Sequence, residues 1–471
     1  MAQTVPENNK MAYAPLPSLL ARMALPTAFS MLVASLYNIV DAVFIARFSS
    51  AAWTALSLSF PVQLVVSAVA AGIGVGTGSV VSNHLGAHRS ERANRAAGCG
   101  VILALLSGVL LTALILLLLP FFFHLFTPDA DVSQNGVTYL TICILFAAAQ
   151  ITESVLAKIL QATGEMVWPM VSGLAGSLCN IILDPLLIFG LAGLPTLGIA
   201  GAALATGISQ LLALAISIYA MTRCRHVRLD RHTLRHNGED RRSILKIAGP
   251  VVVQQSIGFV MTAGMNSILI AFGNAAVNTY NAFFKLQNLL IKPVFGLNYS
   301  VMPVVGYSYG AGNKQRLTQA VKVGTIMGVC VLLLGMLPFL LAPKWLLSFF
   351  HPDSQLYEIA VPAFRVLCLY FPFSAVTIVV SAVFPALGNS TYSMWVSLVR
   401  QIFALLPAAW LLSRIHIHDL WWSYLIAEII AAGMCVLFYW RLYRRKIAVL
   451  PDNCPGEAEP AGSGCRESCG A

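Results

Sequence analysis

Charged residues are scarce in this chain of 471 residues: Asp, Glu, Lys and Arg make up 10% of it, whereas hydrophobic residues make up 58%. A soluble domain carries about 25% charged residues, so the composition excludes an ordinary soluble protein. Short alternating segments are also missing, which argues against a transmembrane barrel. The apolar runs are long and continuous, and such runs cross a bilayer as helices. The sequence therefore predicts an all-α polytopic membrane protein.

Signatures of enzymes and of ATP-driven pumps are missing as well. The sequence contains no HExxH or GxGD motif and no phosphate-binding P-loop. The ten cysteines are scattered, and Cys465 and Cys469 have no second ligand pair, so neither a zinc site nor another cofactor is predicted. His84 and His88 are four residues apart, but no third metal ligand lies nearby. The chain is expected not to be an enzyme.

Long apolar runs are abundant, and they predict about twelve transmembrane helices. The net charge of +10 is confined to a few loops between these runs, which argues against a nucleic-acid partner. The predicted spans lie near residues 16–46, 52–84, 94–123, 134–161, 167–191, 198–222, 244–271, 276–308, 318–349, 356–386, 392–413 and 419–442.

Lys and Arg are unequally divided between the two sides of the membrane. If the N-terminus is cytoplasmic, about twenty of the 29 lie on that side, and eight of these are in the loop 223–246. Basic loops stay in the cytoplasm, so both termini are predicted to be cytoplasmic, in a plasma membrane such as a bacterial inner membrane. The predicted units are an N-terminal tail (1–15), an N-lobe (16–222), a basic linker (223–243), a C-lobe (244–446) and a disordered tail (447–471).

The two halves of the chain are similar at a constant offset of 224 residues. VVSNHLGAHRSERANRA (80–96) aligns with VVGYSYGAGNKQRLTQA (304–320), and ILQATGEMVWPM (159–170) aligns with VFPALGNSTYSM (383–394). Each copy holds six spans, an even number, so both copies enter the membrane from the same side. The sequence predicts two six-helix repeats related by a pseudo-two-fold axis along the membrane normal, an arrangement that usually encloses a midplane site.

Two acids interrupt the apolar runs of the first half, Asp41 in the first span and Asp184 in the fifth. A carboxylate at bilayer depth is costly and usually meets a cation, a proton or a substrate. Tyr37 precedes Asp41 by four residues, and Asn180 precedes Asp184 by four, so each pair shares one helix face. Oxygen ligands suit a hard cation, and two close carboxylates favour sharing a proton. The residues leave Na⁺ and H⁺ open as the coupling ion.

These features together resemble the MATE (multidrug and toxic compound extrusion) transporters over residues 16–445. The first span carries the pattern P-x10-YN-x2-D, which ends at Asp41, and the loop LGAHRSERANRA has the counterpart YGAGNKQR in the second half. The fifth span carries NIILDP, and the sixth carries GIAGAALAT, which ends at Thr206. The resemblance implies a monomeric antiporter in the lipid bilayer that exports amphipathic, often cationic, small molecules in exchange for H⁺ or Na⁺.

The resemblance also implies site residues. In the branch of the family with an acidic site in the first half, the positions matching Asp41, Asn180, Asp184 and Thr206 form the cation or proton site. Independently of the resemblance, a proline inside a helix favours a bend, so Pro26 is expected to kink the first span. The remaining candidates for coupling or substrate contact are Tyr37, Gln150, Glu153, Lys285, Met265 and Met170.

The second half has lost both acids, because the offset aligns Asp41 with Met265 and Asp184 with Ala408. Its buried charges are mostly basic, and Arg400 is predicted to pair with Glu428 in the twelfth span.

Two charged residues keep alternative interpretations. Glu153 is either a coupling group or a structural partner of Lys158, and Lys285 either pairs with an acid across the cavity or binds an anionic part of a substrate. A basic wall opposite an acidic one would suit mixed-charge substrates. The alternative function is a flippase for lipid-linked or amphipathic metabolites, which would favour a strongly cationic cavity.

Overall fold

The computed structural model describes residues 9–193, 195–229, 238–348 and 354–450, and these segments consist of helices joined by short loops, with no strand among them. Eleven of the helices are long and apolar enough to cross a membrane, and a bent pair forms the twelfth span. The prediction of an all-α protein with about twelve spans is therefore confirmed.

The N-lobe consists of six spans. The fourth bends by 45° between its two halves. The spans are α1 (Leu16–Phe48), α2 (Ser50–Gly86), α3 (Ser90–Phe126), α4 (Ala130–Leu145 and Ala147–Ala162), α5 (Val167–Ile188) and α6 (Ile199–Arg223), with short helices at Lys10–Tyr13 and Leu191–Gly193.

The C-lobe repeats this order. Its spans are α7 (Gly238–Leu269, extended by the 3₁₀ turn Ile270–Phe272), α8 (Asn274–Gly310), α9 (Lys314–Leu341), α10 (Ser354–Leu367, Cys368–Tyr370, Phe371–Ser381 and Val383–Ala386), α11 (Ser390–Leu398, the π-helical turn Val399–Ala404 and Leu405–Ser413) and α12 (Ile417–Leu420, Trp422–Leu442 and Tyr443–Ile447), with a short helix at Pro343–Ser348.

The offset of 224 residues is visible in the helix boundaries. Helix α2 begins at Ser50 and ends at Gly86, and α8 begins at Asn274 and ends at Gly310, so both boundaries differ by 224. The bend of α4 at Phe146 likewise corresponds to the 3₁₀ turn that ends at Tyr370 in α10. The predicted duplication is confirmed, and it extends to irregularities within the spans.

Four equivalent helices end with the same turn. The second residue after the end of α4 is Gly164 (φ 91°), after α8 it is Gly312 (φ 70°), and after α10 it is Gly388 (φ 74°). This left-handed conformation favours glycine because a side chain there meets the following carbonyl. At the end of α2 the equivalent residue is His88 (φ 55°), and the closing hydrogen bond from Arg89 N to His84 O (2.9 Å) is still formed.

The two lobes meet through glycines on α2 and α8. A methyl group on Gly72 would lie 2.9 Å from the carbonyl oxygen of Ala248 in α7, and one on Gly296 would lie 2.8 Å from the carbonyl oxygen of Ala24 in α1. Both distances are too short for a carbon and an oxygen atom, so only glycine allows these helices to approach so closely. The two contacts are equivalent under the repeat.

Further along, α2 and α8 cross each other directly. A methyl group on Gly86 would overlap the Tyr307 carbonyl, and one on Gly310 would overlap the Asn83 carbonyl. Gly306 faces Ser82 in the same crossing, and these two residues are themselves equivalent under the offset. The pseudo-two-fold axis therefore passes between Ser82 and Gly306.

Several loops lie at this same end, which we call the basic end (residues 87–89, 224–229, 311–313 and 387–389). Basic residues lie in the first two of these loops, and Lys314 and Arg316 begin the helix that follows the third. Arg316 donates to the backbone oxygens of Met11 and Ala14, at 2.6 and 2.8 Å, and Lys446 Nζ donates to Leu387 O at 2.7 Å. The N-terminal segment and the end of α12 are thereby attached to it.

Which side of the membrane the basic end faces stays a prediction, as do the unit boundaries. The predicted N-terminal tail, basic linker and disordered C-terminal tail fall in part or mostly outside the described residues, at 1–8, 230–237 and 451–471.

Candidate coupling and substrate site

The carboxyl groups of Asp41 and Asp184 adjoin each other where α1 packs against α5, close enough for a hydrogen bond when one of them carries a proton. Asp184 is fully buried, and its Oδ1 accepts a hydrogen bond from Asn180 Nδ2 at 3.3 Å. The same amide nitrogen lies 3.4 Å from Thr206 Oγ1 of α6. The four residues that the resemblance selected therefore form one cluster inside the N-lobe, which we call the acidic cluster.

Three oxygen atoms of the acidic cluster have no partner. Asp41 Oδ1, Asn180 Oδ1 and Asp184 Oδ2 are buried without a hydrogen bond within the described part of the chain. Buried polar atoms are nearly always paired, since leaving one unpaired costs about 1–3 kcal/mol. A group of unpaired oxygens is suited to a hard cation or a proton. Pro185 adds to this, because it offers no N–H to the carbonyl of Ile181.

A cavity of about 210 Å³ adjoins the acidic cluster. Tyr37 lines it together with Asn180 and Thr206, and so does Gln210, whose side-chain oxygen is buried without a partner. Tyr37 is thus placed beside the acidic cluster, as its spacing from Asp41 suggests, and the cavity gives the acidic cluster a polar approach.

Two polar residues near Asp41, Gln63 and Tyr139, were not predicted from the sequence. Gln63 in α2 donates to the Tyr139 hydroxyl of α4 at 3.0 Å, and Tyr139 is close enough to Asp41 to interact electrostatically with it. The available signal was a glutamine within the apolar second span, and its significance depends on the packing of α2 against α4.

Glu153 lies apart from the acidic cluster. Its Oε1 accepts hydrogen bonds from Ser172 (3.1 Å) and Ser217 (3.2 Å). Ser172 precedes Asp184 by twelve residues on α5, which is roughly 18 Å along the helix axis. Gln150, one turn before Glu153, bonds Ser67 at 3.5 Å.

Lys158 does not pair directly with Glu153 in the described structure. Its Nζ donates to Gln161 Oε1 at 2.9 Å and lies 3.3 Å from the ring centroid of Tyr299 in α8. A buried lysine over an aromatic face is a cation–π contact, and here it connects the N-lobe to the C-lobe. No sequence pattern indicates this partner, because Tyr299 belongs to the other repeat.

In the C-lobe, Arg400 Nη1 lies 3.3 Å from Glu428 Oε2 and 3.5 Å from Oε1. Arg400 sits in the π-helical turn of α11, and such turns are frequent at functional sites. The guanidinium also borders a second cavity, of about 170 Å³, between the lobes.

The remaining candidates occupy varied environments. Met265 is fully buried in the C-lobe core, where it has no surface to offer a substrate, whereas Lys285 is exposed and Met170 is half-buried. Pro26 lies inside α1, which continues as a helix on both sides of it. In the described part of the chain no group of three His, Cys, Asp or Glu side chains could hold a metal ion.

Comparisons with known proteins agree on one family. The sequence model of the MatE family matches residues 26–186 and 250–410, two stretches that are again 224 residues apart. The chain is 26% identical over 430 residues to a probable multidrug resistance protein NorM of Thermotoga maritima, covering 89% of this chain and 91% of that protein. It is also similar to an FAD transporter of Shewanella oneidensis, with 28% identity over 402 residues, 84% of this chain and 88% of that protein.

Solved structures show the same fold. A multidrug resistance MATE family transporter of the MOP superfamily, in an outward-facing conformation, superposes with a TM-score of 0.88 at 22% identity, covering 95% of this chain and 99% of that one. Members of this family are membrane transporters rather than enzymes. With both repeats matched and nearly the whole chain covered, this protein belongs to the MatE family of membrane transporters.

Proposed function

We propose that the protein is a secondary antiporter that exports amphipathic organic compounds, drugs among them, in exchange for H⁺ or Na⁺ bound at the acidic cluster. The observation that carries this proposal is the set of three buried, unpaired oxygens on Asp41, Asn180 and Asp184. A site that is complete only when a cation or proton joins it changes its charge on each transport cycle. A purely structural contact between α1 and α5 would leave no such oxygens.

The acidic cluster acts through helix packing. Without a bound ion, the carboxylates of Asp41 and Asp184 repel each other, and this repulsion favours separation of α1 from α5. A proton or cation between them removes the repulsion and lets the two helices close. Helix α1 also contacts the other lobe through Ala24 and Gly296, so its movement is coupled to the contact between the lobes. This coupling supports alternating access.

Substrate identity is less constrained than the transport class. One relative is named for multidrug resistance and another for FAD transport, and the two are similar to this chain over comparable lengths. The cavity of about 170 Å³ between the lobes is lined by both polar and apolar side chains, which suits amphipathic compounds of several kinds. A flippase stays the alternative, and the acids of the N-lobe favour the antiporter over it.

The test is dye efflux from proteoliposomes that carry either a proton gradient or a sodium gradient. We expect one gradient to drive efflux by the wild-type protein and Asp41→Asn to abolish it. The matched control is Asp129→Asn, because Asp129 is an exposed acid that caps α4 and asparagine keeps that cap.

Efflux that persists in Asp41→Asn at the wild-type rate would overturn coupling at the acidic cluster. If neither gradient drives efflux of any dye, and the protein moves a fluorescent lipid between leaflets, the flippase is favoured.

A further inference from the structure

One face of α8 carries two lysines and a tyrosine. Lys285, Lys292 and Tyr299 are spaced by seven residues, so they share a helix face. Tyr299 borders the cavity between the lobes and meets Lys158 of the N-lobe, and Gly296, one turn after Lys292, packs on α1. The Tyr299 end of this face is therefore directed at the interior between the lobes. Lys292 and Lys285 follow it at about 10 and 21 Å along the helix axis.

The equivalent face of α2 is uncharged. The offset aligns Lys285 with Pro61, Lys292 with Ala68, and Tyr299 with Val75. The basic face is thus present in the C-lobe alone, as the acidic cluster is in the N-lobe. Neither lysine has an ion-pair partner among the residues that the structure describes, so a purely structural ion pair does not explain them.

The cavity of about 170 Å³ at the end of this face is rich in carboxamides. Gln254, Gln255 and Gln401 border it, and none of them has a hydrogen-bond partner among the described residues, although Gln401 is only 9% exposed. Asn298 also borders the cavity, and its amide nitrogen is already bonded to the carbonyl of Ile378. A carboxamide has two hydrogen-bond donors and one acceptor oxygen. This wall can therefore bind a ligand whose edge presents hydrogen-bond acceptors as well as donors.

Arg400 supplies a cation at the same cavity. Glu428 engages its Nη1, whereas its Nε is buried without a partner. The offset aligns Arg400 with Gly176 and Gln401 with Ser177, so the N-lobe has no counterpart of either group. Glu428 offsets the charge of Arg400. The net positive charge of the wall therefore comes from Lys285 and Lys292.

We propose that this wall, formed by Lys285, Lys292, Gln254, Asn298, Arg400 and Gln401, binds anionic compounds that carry a flat, hydrogen-bonding ring. The carboxamides engage the polar edge of the ring, the faces of Phe295 and Tyr299 pack against its apolar surface, and the lysines hold the anionic group. This inference rests on the proposed function and extends it, because it adds acidic cargo to the cationic compounds that the resemblance implies.

Binding to the purified protein in nanodiscs tests the proposal. Riboflavin 5′-phosphate and riboflavin share one ring system and differ in the phosphate, and fluorescence anisotropy reports the binding of each. We expect the phosphate form to bind about tenfold more tightly, since one tenfold step is what a charge-assisted contact supplies. This preference should decrease as the salt concentration rises.

Two variants separate the contribution of the lysines, which bind the anionic group, from that of the carboxamides, which bind the ring. Lys285→Gln with Lys292→Gln should reduce the preference to about one while leaving riboflavin binding unchanged. Gln401→Leu should weaken the binding of both probes. Arg414→Gln is the control for general surface charge, because Arg414 stacks on Trp410 away from the cavity.

The proposal is overturned if the two flavins bind the wild-type protein equally, or if the lysine variant keeps the preference. Asp129→Asn, at an exposed acid outside both proposed sites, should bind both flavins as the wild type does. A protein that binds riboflavin 5′-phosphate but shows no ion-driven efflux contradicts the proposed antiport alone, and efflux without phosphate preference contradicts the anionic subsite alone.

Discussion

At the scale of single residues, Asp41 and Asp184 depend on each other. They adjoin across α1 and α5, and each retains a buried oxygen without a partner. Two groups that bind one ion together lose their function together, because either substitution removes the shared site. Substitutions of residues that act as a unit are therefore not additive.

We predict that Asp184→Asn lowers ion-driven efflux to the background level, as Asp41→Asn does, and that the double variant is no worse than either single variant. Initial efflux rates in proteoliposomes measure this. Losses that multiply in the double variant would mean that the two carboxylates serve separate steps.

The Arg400–Glu428 pair lends itself to a stability prediction. Glu428 is 5% exposed, so removing Arg400 leaves a buried charge without its partner. We predict that Arg400→Met destabilises the protein by about 3 kcal/mol, and that adding Glu428→Gln recovers most of this loss. Thermal unfolding in detergent measures both. If the double variant is as unstable as Arg400→Met, the loss comes from packing rather than from charge.

His88 occupies a backbone conformation that the other three equivalent turns assign to glycine. We predict that His88→Gly stabilises the protein by about 1 kcal/mol, because the left-handed conformation costs a side chain about that amount. The same unfolding measurement applies. Gly312→His is the reciprocal change and should destabilise; a neutral result for both would show that the histidine side chain compensates for its strain.

At the scale of helices, the contact between the lobes depends on backbone approach. Gly72 and Gly296 lie directly on the carbonyls of Ala248 and Ala24. Side chains that interlock at such a contact would resist sliding, whereas two bare backbones offer little resistance. The glycines therefore favour both close packing and relative motion of the lobes.

We predict that Gly72→Leu separates the lobes at the basic end, because the side chain would collide with Ala248 and Val252. Spin labels at Arg95 and Lys322, in a cysteine-free background, should show a longer distance than in the parent protein. Gly249→Leu is the matched control, since nothing lies within 4 Å of the position of its added carbon. An unchanged distance in Gly72→Leu would show that the leucine side chain fits between α2 and α7 without moving them apart.

Irregular turns within the helices mark the limit of sequence reasoning. Hydropathy predicts the spans because apolar length is a local property, and the repeat is visible because both copies keep the same spacing. The bend of α4 at Phe146 and the π-helical turn around Arg400 are not local properties. Both depend on neighbouring helices, and no residue type in either segment demands them.

At the scale of the whole molecule, the sequence predicted the duplicated architecture and brought the four residues of the acidic cluster into one hypothesis. Each of these residues lies on a helix of the N-lobe, so spacing within one repeat was informative. The C-lobe wall and the contact of Lys158 with Tyr299 were not predicted, because they join residues whose proximity only the packing of two repeats creates.

The crossing at Ser82 and Gly306 has a consequence for the origin of the chain. Two identical six-helix proteins, paired as a homodimer with this geometry, would place the same residue on both sides of the axis, and two serines would collide there. The Ser82 hydroxyl fits here because residue 306 has no side chain. Joining the two copies in one chain allows them to differ at the axis. This close crossing, with a serine on one side and a glycine on the other, is therefore available to the fused protein but not to a homodimer of a six-helix ancestor.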